Sequence, residues 1–225
     1  VIITIDGPTA SGKSAVARML ADSLNFYYLP TGWLYRSVSY LLVSEFQYST
    51  EQLQNPLKQD VEYCLNPDFL VYTYDSKKGG DIFFREENIT PFLKDYTVDQ
   101  SVSLISPVVM VRENVAHAQR LFAERSYNSV IEGRDCGSVV FPHADYKFYL
   151  TAPLSVRAQR WQKDQVLRGH IFTLEQAEEQ ISVRDLHDLE REHSPLVIPV
   201  GAHVIDNGSM TIFETVKVLL SYTGR

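Results

Sequence analysis

The segment Gly7-Pro8-Thr9-Ala10-Ser11-Gly12-Lys13-Ser14 constrains this 225-residue chain more than any other. It matches G-x-x-x-x-G-K-[ST] in full and lies between two apolar runs of different period. Before it, Val1 to Ile5 is short, apolar and mostly β-branched, which reads as a buried strand of a parallel sheet. After it, Val16, Leu20, Ala21 and Leu24 recur at helical spacing over Lys13 to Leu24. A strand, a glycine-rich turn and a helix in that order make a phosphate cradle. Gly7 and Gly12 let the backbone curl, so that N–H groups of the loop point at phosphate oxygens. Lys13 adds a mobile charge for the β- and γ-phosphates, and the Ser14 hydroxyl is a ligand for Mg²⁺.

The rest of the chain alternates strands and helices. Strands are expected at Phe26 to Leu29, Ser129 to Ile131, Tyr146 to Leu150 and His203 to Ile205. Helices are expected at Gly32 to Glu45, Pro107 to Arg125, Ser155 to Leu167, Thr173 to Leu186 and Met210 to Tyr222. Ser49 and Gln52 form a capping-box pattern that opens a helix through about Cys64. Phe69 to Tyr74 and Ile82 to Arg85, separated by the polar turn Asp75 to Gly80, interrupt the alternation as a small antiparallel unit. Such an order implies an α/β fold, a parallel sheet covered on both faces, with ligands at the carboxyl ends of its strands.

Composition narrows the function classes. A 44% hydrophobic content suits a globular domain. The net charge of −7 argues against a basic nucleic-acid-binding surface. Cys64 and Cys136 stand far apart, in no metal-ligand spacing, and read as reduced thiols of a cytoplasmic protein. No apolar run reaches membrane-spanning length, and the opening residues lack a signal-peptide pattern.

Cations then gather where the phosphate loop needs company. Arg36, Arg112, Arg134, Arg160, Arg184 and Arg191 fall at or near strand ends and helix faces. Together they suggest a site for more phosphate than one nucleotide carries, because phosphoryl transfer between two phosphates needs cations on both sides of the moving group. Ser129-Val-Ile-Glu-Gly133-Arg134-Asp135 is a buried strand ending in a residue suited to fork onto phosphate. Arg184, Asp188 and Arg191 have i, i+4, i+7 spacing and share a helix face.

These motifs, in this order, resemble bacterial cytidylate kinases. The residues that carry the resemblance are Ile5 to Lys13, Thr31-Gly32, Tyr35-Arg36, Ser103, Val111-Arg112-Glu113, Gly133-Arg134-Asp135-Cys-Gly137-Ser-Val-Val-Phe-Pro142, Arg184 to Arg191 and Pro195-Leu196. The resemblance implies a single P-loop kinase domain over residues 1–225: a three-layer sandwich with a central parallel sheet, a monophosphate-binding insert at about 66–99 and a helical lid at about 157–191. It implies transfer of the ATP γ-phosphoryl to CMP or dCMP with Mg²⁺, by a cytoplasmic monomer that binds neither nucleic acid nor membrane. Residue by residue, it gives Arg36, Arg134 and Arg191 the acceptor phosphate. Ser103, Arg112 and Asp135 take the cytosine, and Arg184 and Asp188 the sugar hydroxyls. Thr31 and Tyr35 also fall in the CMP set, and Arg160 is a lid arginine on the transferring phosphoryl. The catalytic set is Lys13, Arg134, Arg160 and Arg191. The chain has Pro30-Thr31-Gly32 where the family usually has Asp-Ser-Gly. It has Arg160-Trp161 where paired arginines are common, which leaves Arg157 or Arg168 as sources of a second charge.

Other readings of the same residues are a P-loop kinase for another monophosphate, a nucleoside or shikimate, a GTP-driven switch, or a silent binding module. A switch protein reads guanine through an Asn-Lys-x-Asp segment. The nearest stretch here, Val204-Ile-Asp-Asn207, lacks the lysine.

Overall fold

The computed structural model describes residues 1–224, in two compact units. The first comprises Val1–Tyr27 and the chain from Asn128 onward, and the second Tyr28–Tyr127. The main sheet has the order β2-β6-β1-β7-β8, with β1 Ile2–Asp6, β2 Tyr27–Pro30, β6 Ser129–Glu132, β7 Tyr146–Thr151 and β8 His203–Asp206. The β1–β6, β1–β7 and β7–β8 pairs are parallel. Ile3 and Ile5 on β1 are buried, and so are Thr4 and Asp6, which alternate with them. A strand buried on both faces is what a helix-covered parallel sheet requires. Helix α1 (Lys13–Leu24) buries Val16, Ala17, Leu20 and Ala21. It packs on β6 and on α9 (Ile212–Thr223). Helices α7 (Leu154–Leu167) and α8 (Leu174–Glu190) form a hairpin around Ala158, Ala177 and Ile181.

In the second unit, α2 (Gly32–Ser44) packs on α4 (Lys58–Cys64), α5 (Tyr96–Ile105) and α6 (Val109–Ser126). A separate antiparallel sheet has the order β3-β4-β5: Leu70–Asp75, Gly79–Phe84 and Glu87–Asn88. Three expectations need correction here. The capping box of Ser49 and Gln52 forms, but it opens only α3 (Thr50–Leu53). Pro56 lacks the N–H a continuing helix needs, so the helix restarts at Lys58. Helix α6 begins at Val109 with Val108 as cap, so Pro107 lies outside it. A short 3₁₀ turn at Thr90–Lys94 and helix α5 occupy a stretch given no element by periodicity.

The β4–β5 turn holds local strain. Phe84 pairs with Glu87, leaving Arg85 and Glu86 as a two-residue loop with φ of 48° and 72°. Asn-Gly suits such a turn because bulkier residues are strained at positive φ. The Arg85 guanidinium lies 5.0 Å from the Tyr63 ring centroid and 5.5 Å from that of Phe69, a cation–π contact that offsets part of the strain. Glu86 is exposed. Glu86→Gly therefore stabilises by about 0.5–1 kcal/mol, the left-handed penalty less the extra backbone entropy of glycine. Arg85→Gly, which also removes the aromatic contact, destabilises. Thermal melting of the two variants checks this. The opposite order of melting temperatures would place the strain elsewhere.

Candidate active site

The loop after β1 follows the strand at which the sheet order changes direction, since β6 and β2 lie on one side of β1 and β7 and β8 on the other. Gly7 begins it, with φ 149°. A Cβ there would sit 2.1 Å from the Leu150 carbonyl oxygen, so the close approach of loop to β7 admits only glycine.

The loop is held mainly through its backbone. Thr9 N–H donates to Asp185 Oδ1 at 2.9 Å. The Thr9 carbonyl accepts from Arg157 Nη1 at 3.0 Å, and Thr9 Oγ1 accepts from Arg134 Nη2 at 3.3 Å. Arg157 and Asp185 are buried and paired with each other, and Arg157 Nε donates to Ala152 O. Ala10 packs against the apolar core of the α7–α8 hairpin. The Ser11 carbonyl accepts from Asn207 Nδ2 at 2.9 Å.

Lys13 opens α1 and is buried. Its Nζ turns back over the loop to donate to Pro8 O at 2.7 Å and Ser11 Oγ at 3.3 Å. Burial, and after it the nearby Arg134 charge, push the ammonium down to about 7, while Glu132 and Asp188 pull it upward. Ser14 Oγ donates to Glu132 Oε1 at 2.9 Å.

Arg134 follows β6. Its Nε donates to Asp188 Oδ2 at 2.8 Å, and Arg191 Nη1 donates to Asp188 Oδ1 at 3.3 Å. Burial opposes ionisation at both ends of the Arg134–Asp188 pair, yet mutual attraction wins. Arg134 is raised above its ordinary value, and the Asp188 carboxyl is held below the usual range. Helix α8 ends at Glu190, so Arg191 is its extended C-cap rather than a helical residue, and Arg191 Nε donates to Ser194 O. Arg184 is exposed on the same helix. After Asp135 the chain makes a π-helical turn, Cys136–Val140, whose first two N–H groups donate to Asp6 Oδ1 (2.8 Å) and Oδ2 (2.7 Å). Burial pushes the Asp6 carboxyl up to about 6. A Cβ on Gly137 would meet Thr4 Oγ1 at 2.7 Å, which explains a glycine in that turn.

On α7, Arg160 donates from Nη1 to Asn207 Oδ1 and from Nη2 to Asn207 O. Trp161, where paired arginines are common, packs on the hairpin core with its ring 4.9 Å from Phe172. Neither candidate for a second charge replaces it simply: Arg157 is committed to Asp185 and Thr9, and Arg168 pairs with Asp164 on the surface.

The remaining candidates belong to the second unit. Thr31 is buried as the cap of α2. Arg36 Nη1 donates to Leu93 O at 2.7 Å, and its Nη2 pairs with Asp99. Arg112 is buried on α6, with Nη1 donating to Ser106 O at 3.0 Å and its guanidinium 5.7 Å from the Tyr35 ring centroid. Ser103 is exposed on α5 and donates to Gln100 O.

The first unit thus gathers Lys13, Ser14, Arg134, Asp188, Arg191 and Arg160 around one loop, and the second carries Thr31, Tyr35, Arg36, Ser103 and Arg112. Sequence reasoning gave no site role to Asp6, Glu132, Asp185 and Asn207, and considered Arg157 only as a second charge rather than as a support of the loop. Three of these stand at or just past the carboxyl end of a strand, where a polar residue in an apolar run is itself a signal. Arg157 and Asp185 carry no such mark, because burial of a helical charge is visible only once the hairpin has folded.

Comparison with known proteins bears on the fold and the family. A shikimate kinase from Acinetobacter baumannii superposes with a TM-score of 0.50 at 14% identity, over 99% of this chain and 92% of that one, a likeness of fold alone. An uncharacterized protein from Eubacterium ventriosum gives 0.51 at 11% identity, over 99% and 97%. Cytidylate kinase of Thermodesulfovibrio yellowstonii is 35% identical over 97% of this chain and 96% of its own length. Cytidylate kinase of Chlamydia caviae is 37% identical over 98% and 96%. The family model described as cytidylate kinase matches residues 3–225. With sequence likeness over nearly its whole length and a phosphate loop ringed by arginines, the chain belongs to the cytidylate kinase family.

Proposed function

We propose that this protein transfers the γ-phosphoryl of ATP to the 5′-phosphate of CMP or dCMP, giving ADP and CDP or dCDP. One observation carries the reading beyond family membership: Arg134 reaches the phosphate loop at Thr9 and the Asp188–Arg191 pair at once. Cations suited to a second phosphate therefore adjoin the loop that suits ATP, as direct transfer between phosphates requires.

An acceptor phosphate oxygen attacks the γ-phosphorus, and the bond from that phosphorus to the β–γ bridging oxygen breaks in line. The acceptor is already an anion, so no strong base is needed, and catalysis is positioning plus charge stabilisation. Lys13 and the loop N–H groups hold the β- and γ-phosphates. Arg134 and Arg191 hold the acceptor phosphate, and Arg160 meets charge on the moving group. Ser14 and Glu132 offer the hard oxygen donors that Mg²⁺ prefers. Among the described residues no cluster of three His, Cys, Asp or Glu could hold a metal. The ion would therefore rely on Ser14, nucleotide oxygens and water, as Mg²⁺ with nucleotides usually does. When bound, it neutralises charge on the β- and γ-oxygens.

Asp135 accepts from the cytosine amino group, Arg112 donates to its O2 and N3, and Ser103 adjusts. Arg36 joins the acceptor phosphate, Thr31 and Tyr35 line the same nucleotide, and Arg184 and Asp188 take its sugar hydroxyls. The protein acts as a cytoplasmic monomer, a reading in keeping with two buried free thiols. No described helix is long and apolar enough to cross a membrane.

Two predictions test this reading. Lys13, at about 7, is mostly neutral at pH 8. Phosphate charge restores its proton, so binding of magnesium-free ADP at pH 8 takes up close to one proton. At pH 6 the lysine is already charged and this uptake disappears. Lys13→Arg stays charged throughout and shows none. Calorimetry in buffers of different ionisation enthalpy measures it, and no uptake by wild type at pH 8 would mean that the lysine is charged before nucleotide arrives.

The second prediction concerns the base. ADP release with CMP, UMP, AMP and shikimate as acceptors should favour CMP or dCMP clearly. Uracil places an oxygen against the Asp135 carboxylate and leaves buried polar groups unpaired. Asp135→Ala should lose most of the CMP-over-UMP preference, at a cost of about 1–3 kcal/mol in kcat/KM for CMP. An unchanged ratio would remove Asp135 from base recognition, and a preference for shikimate or AMP would overturn the substrate.

A further inference from the structure

Asn207 is the first residue past β8, the stretch whose lack of a lysine separated this chain from switch proteins. It is 3% exposed, and every polar group it owns is engaged. Its N–H donates to Thr151 O at 2.9 Å, which continues the β7–β8 pairing into the turn. Its Nδ2 donates to the Ser11 carbonyl at 2.9 Å. Its Oδ1 accepts from Arg160 Nη1 at 3.0 Å, and its main-chain oxygen accepts from Arg160 Nη2 at 2.8 Å. The amide has one chemically permitted orientation, because a guanidinium only donates and a carbonyl only accepts.

The consequence falls on Arg160. Two parallel hydrogen bonds fix a guanidinium in plane as well as in place. Here they fix it where Nη1 is 3.9 Å from the position of a Cβ on Gly12, at the mouth of the phosphate loop and the N-terminus of α1. The same asparagine holds the loop itself at Ser11, so arginine and loop share one reference point. Both acceptors it offers Arg160 are neutral. A carboxylate would hold the guanidinium more tightly but would cancel the charge that the moving phosphoryl needs, and it would set an acceptor against the Ser11 carbonyl. Burial already pulls Arg160 below its ordinary value, with Asp206 the carboxylate that opposes this.

We propose that Asn207 is the positioning residue for Arg160 in phosphoryl transfer, and that it works because it is a neutral acceptor. This rests on the kinase reading above, in which Arg160 meets the transferring group. Asn207 touches no reacting atom in this scheme and acts through the guanidinium it orients.

The test is a double-mutant cycle. Steady-state kcat and KM for ATP and CMP are measured for wild type, Asn207→Ala, Asn207→Asp, Arg160→Ala and the Asn207→Ala/Arg160→Ala double variant, with thermal melting of each. Arg160→Ala should lower kcat by roughly 10² or more, the scale for one preorganised charge. Asn207→Ala should lower it about tenfold or more, as a misplaced catalytic group does. Removing Asn207 in the Arg160→Ala background should then cost kcat nothing further. Loosening of the loop at Ser11 would appear separately, as a higher KM for ATP in both backgrounds. Asn207→Asp, close to isosteric, should fold and still show reduced kcat. The same kcat loss from Asn207→Ala with and without Arg160 would overturn the proposal, as would wild-type kcat in Asn207→Asp or an unchanged kcat in Arg160→Ala. A wild type that releases no ADP with CMP would remove the kinase reading, and this assignment with it, before any variant is compared.

Discussion

A loop chosen for backbone N–H groups has few side chains with which to hold itself in shape, so its geometry depends on what distant residues do to its carbonyls and amides. Here the holding is concentrated on Thr9 and Ser11. Thr9 is engaged at its N–H, its carbonyl and its hydroxyl by Asp185, Arg157 and Arg134. Ser11 is held at its carbonyl by Asn207. A buried ion pair such as Arg157–Asp185 is weak evidence of added stability, because desolvation consumes most of the attraction. What it provides here is definition. Each partner spends a further hydrogen bond on the loop, so the loop has one position in which both charges are satisfied.

Helix α8 links the loop to the arginines beside it. Asp185 and Asp188 lie three residues apart on α8, on neighbouring positions of one face. The first holds the phosphate loop and the second orients Arg134 and Arg191. The spacing between the loop and the Arg134–Arg191 pair is thereby tied to a single turn of helix rather than left to two independent loops. Arg184, one residue before Asp185, is exposed, and its charge acts on both Lys13 and Asp188.

Much of this was legible in the sequence because it follows from local chemistry. The phosphate loop, the bounds of α1 at Lys13 and Leu24, the strands around Ile3, Val130, Phe148 and Val204, and the capping box at Ser49 are all short-range patterns, and the structure has them. What escaped depends on long-range burial or on a competing local rule. Pro56 overrode an otherwise helical pattern. Helix α5 buries only Val98 and Ile105, too few apolar positions to announce a period. The roles of Arg157 and Asp185 follow from being enclosed by the α7–α8 hairpin, while an isolated reading of either residue gives an ordinary surface charge.

The electrostatics of the first unit explain how an acidic chain can bind anions. Around the loop the carboxylates are shared or already committed. Asp188 serves both Arg134 and Arg191, and Asp185 is committed to Arg157 and Thr9. Arg160 receives only neutral acceptors from Asn207. Lys13, with two neutral oxygens as partners, is depressed to about 7 by burial and by Arg134. Lys13 and Arg160 thus rest on neutral hydrogen-bond acceptors, and holding a desolvated charge in that way costs free energy in the protein itself. In the reaction proposed above, phosphate oxygens would supply counter-charge to these two groups, so part of the binding energy would be relief of that desolvation cost. The same cations would then be in place when charge spreads onto the oxygens of a transferring phosphoryl group, and little would have to reorganise at that moment.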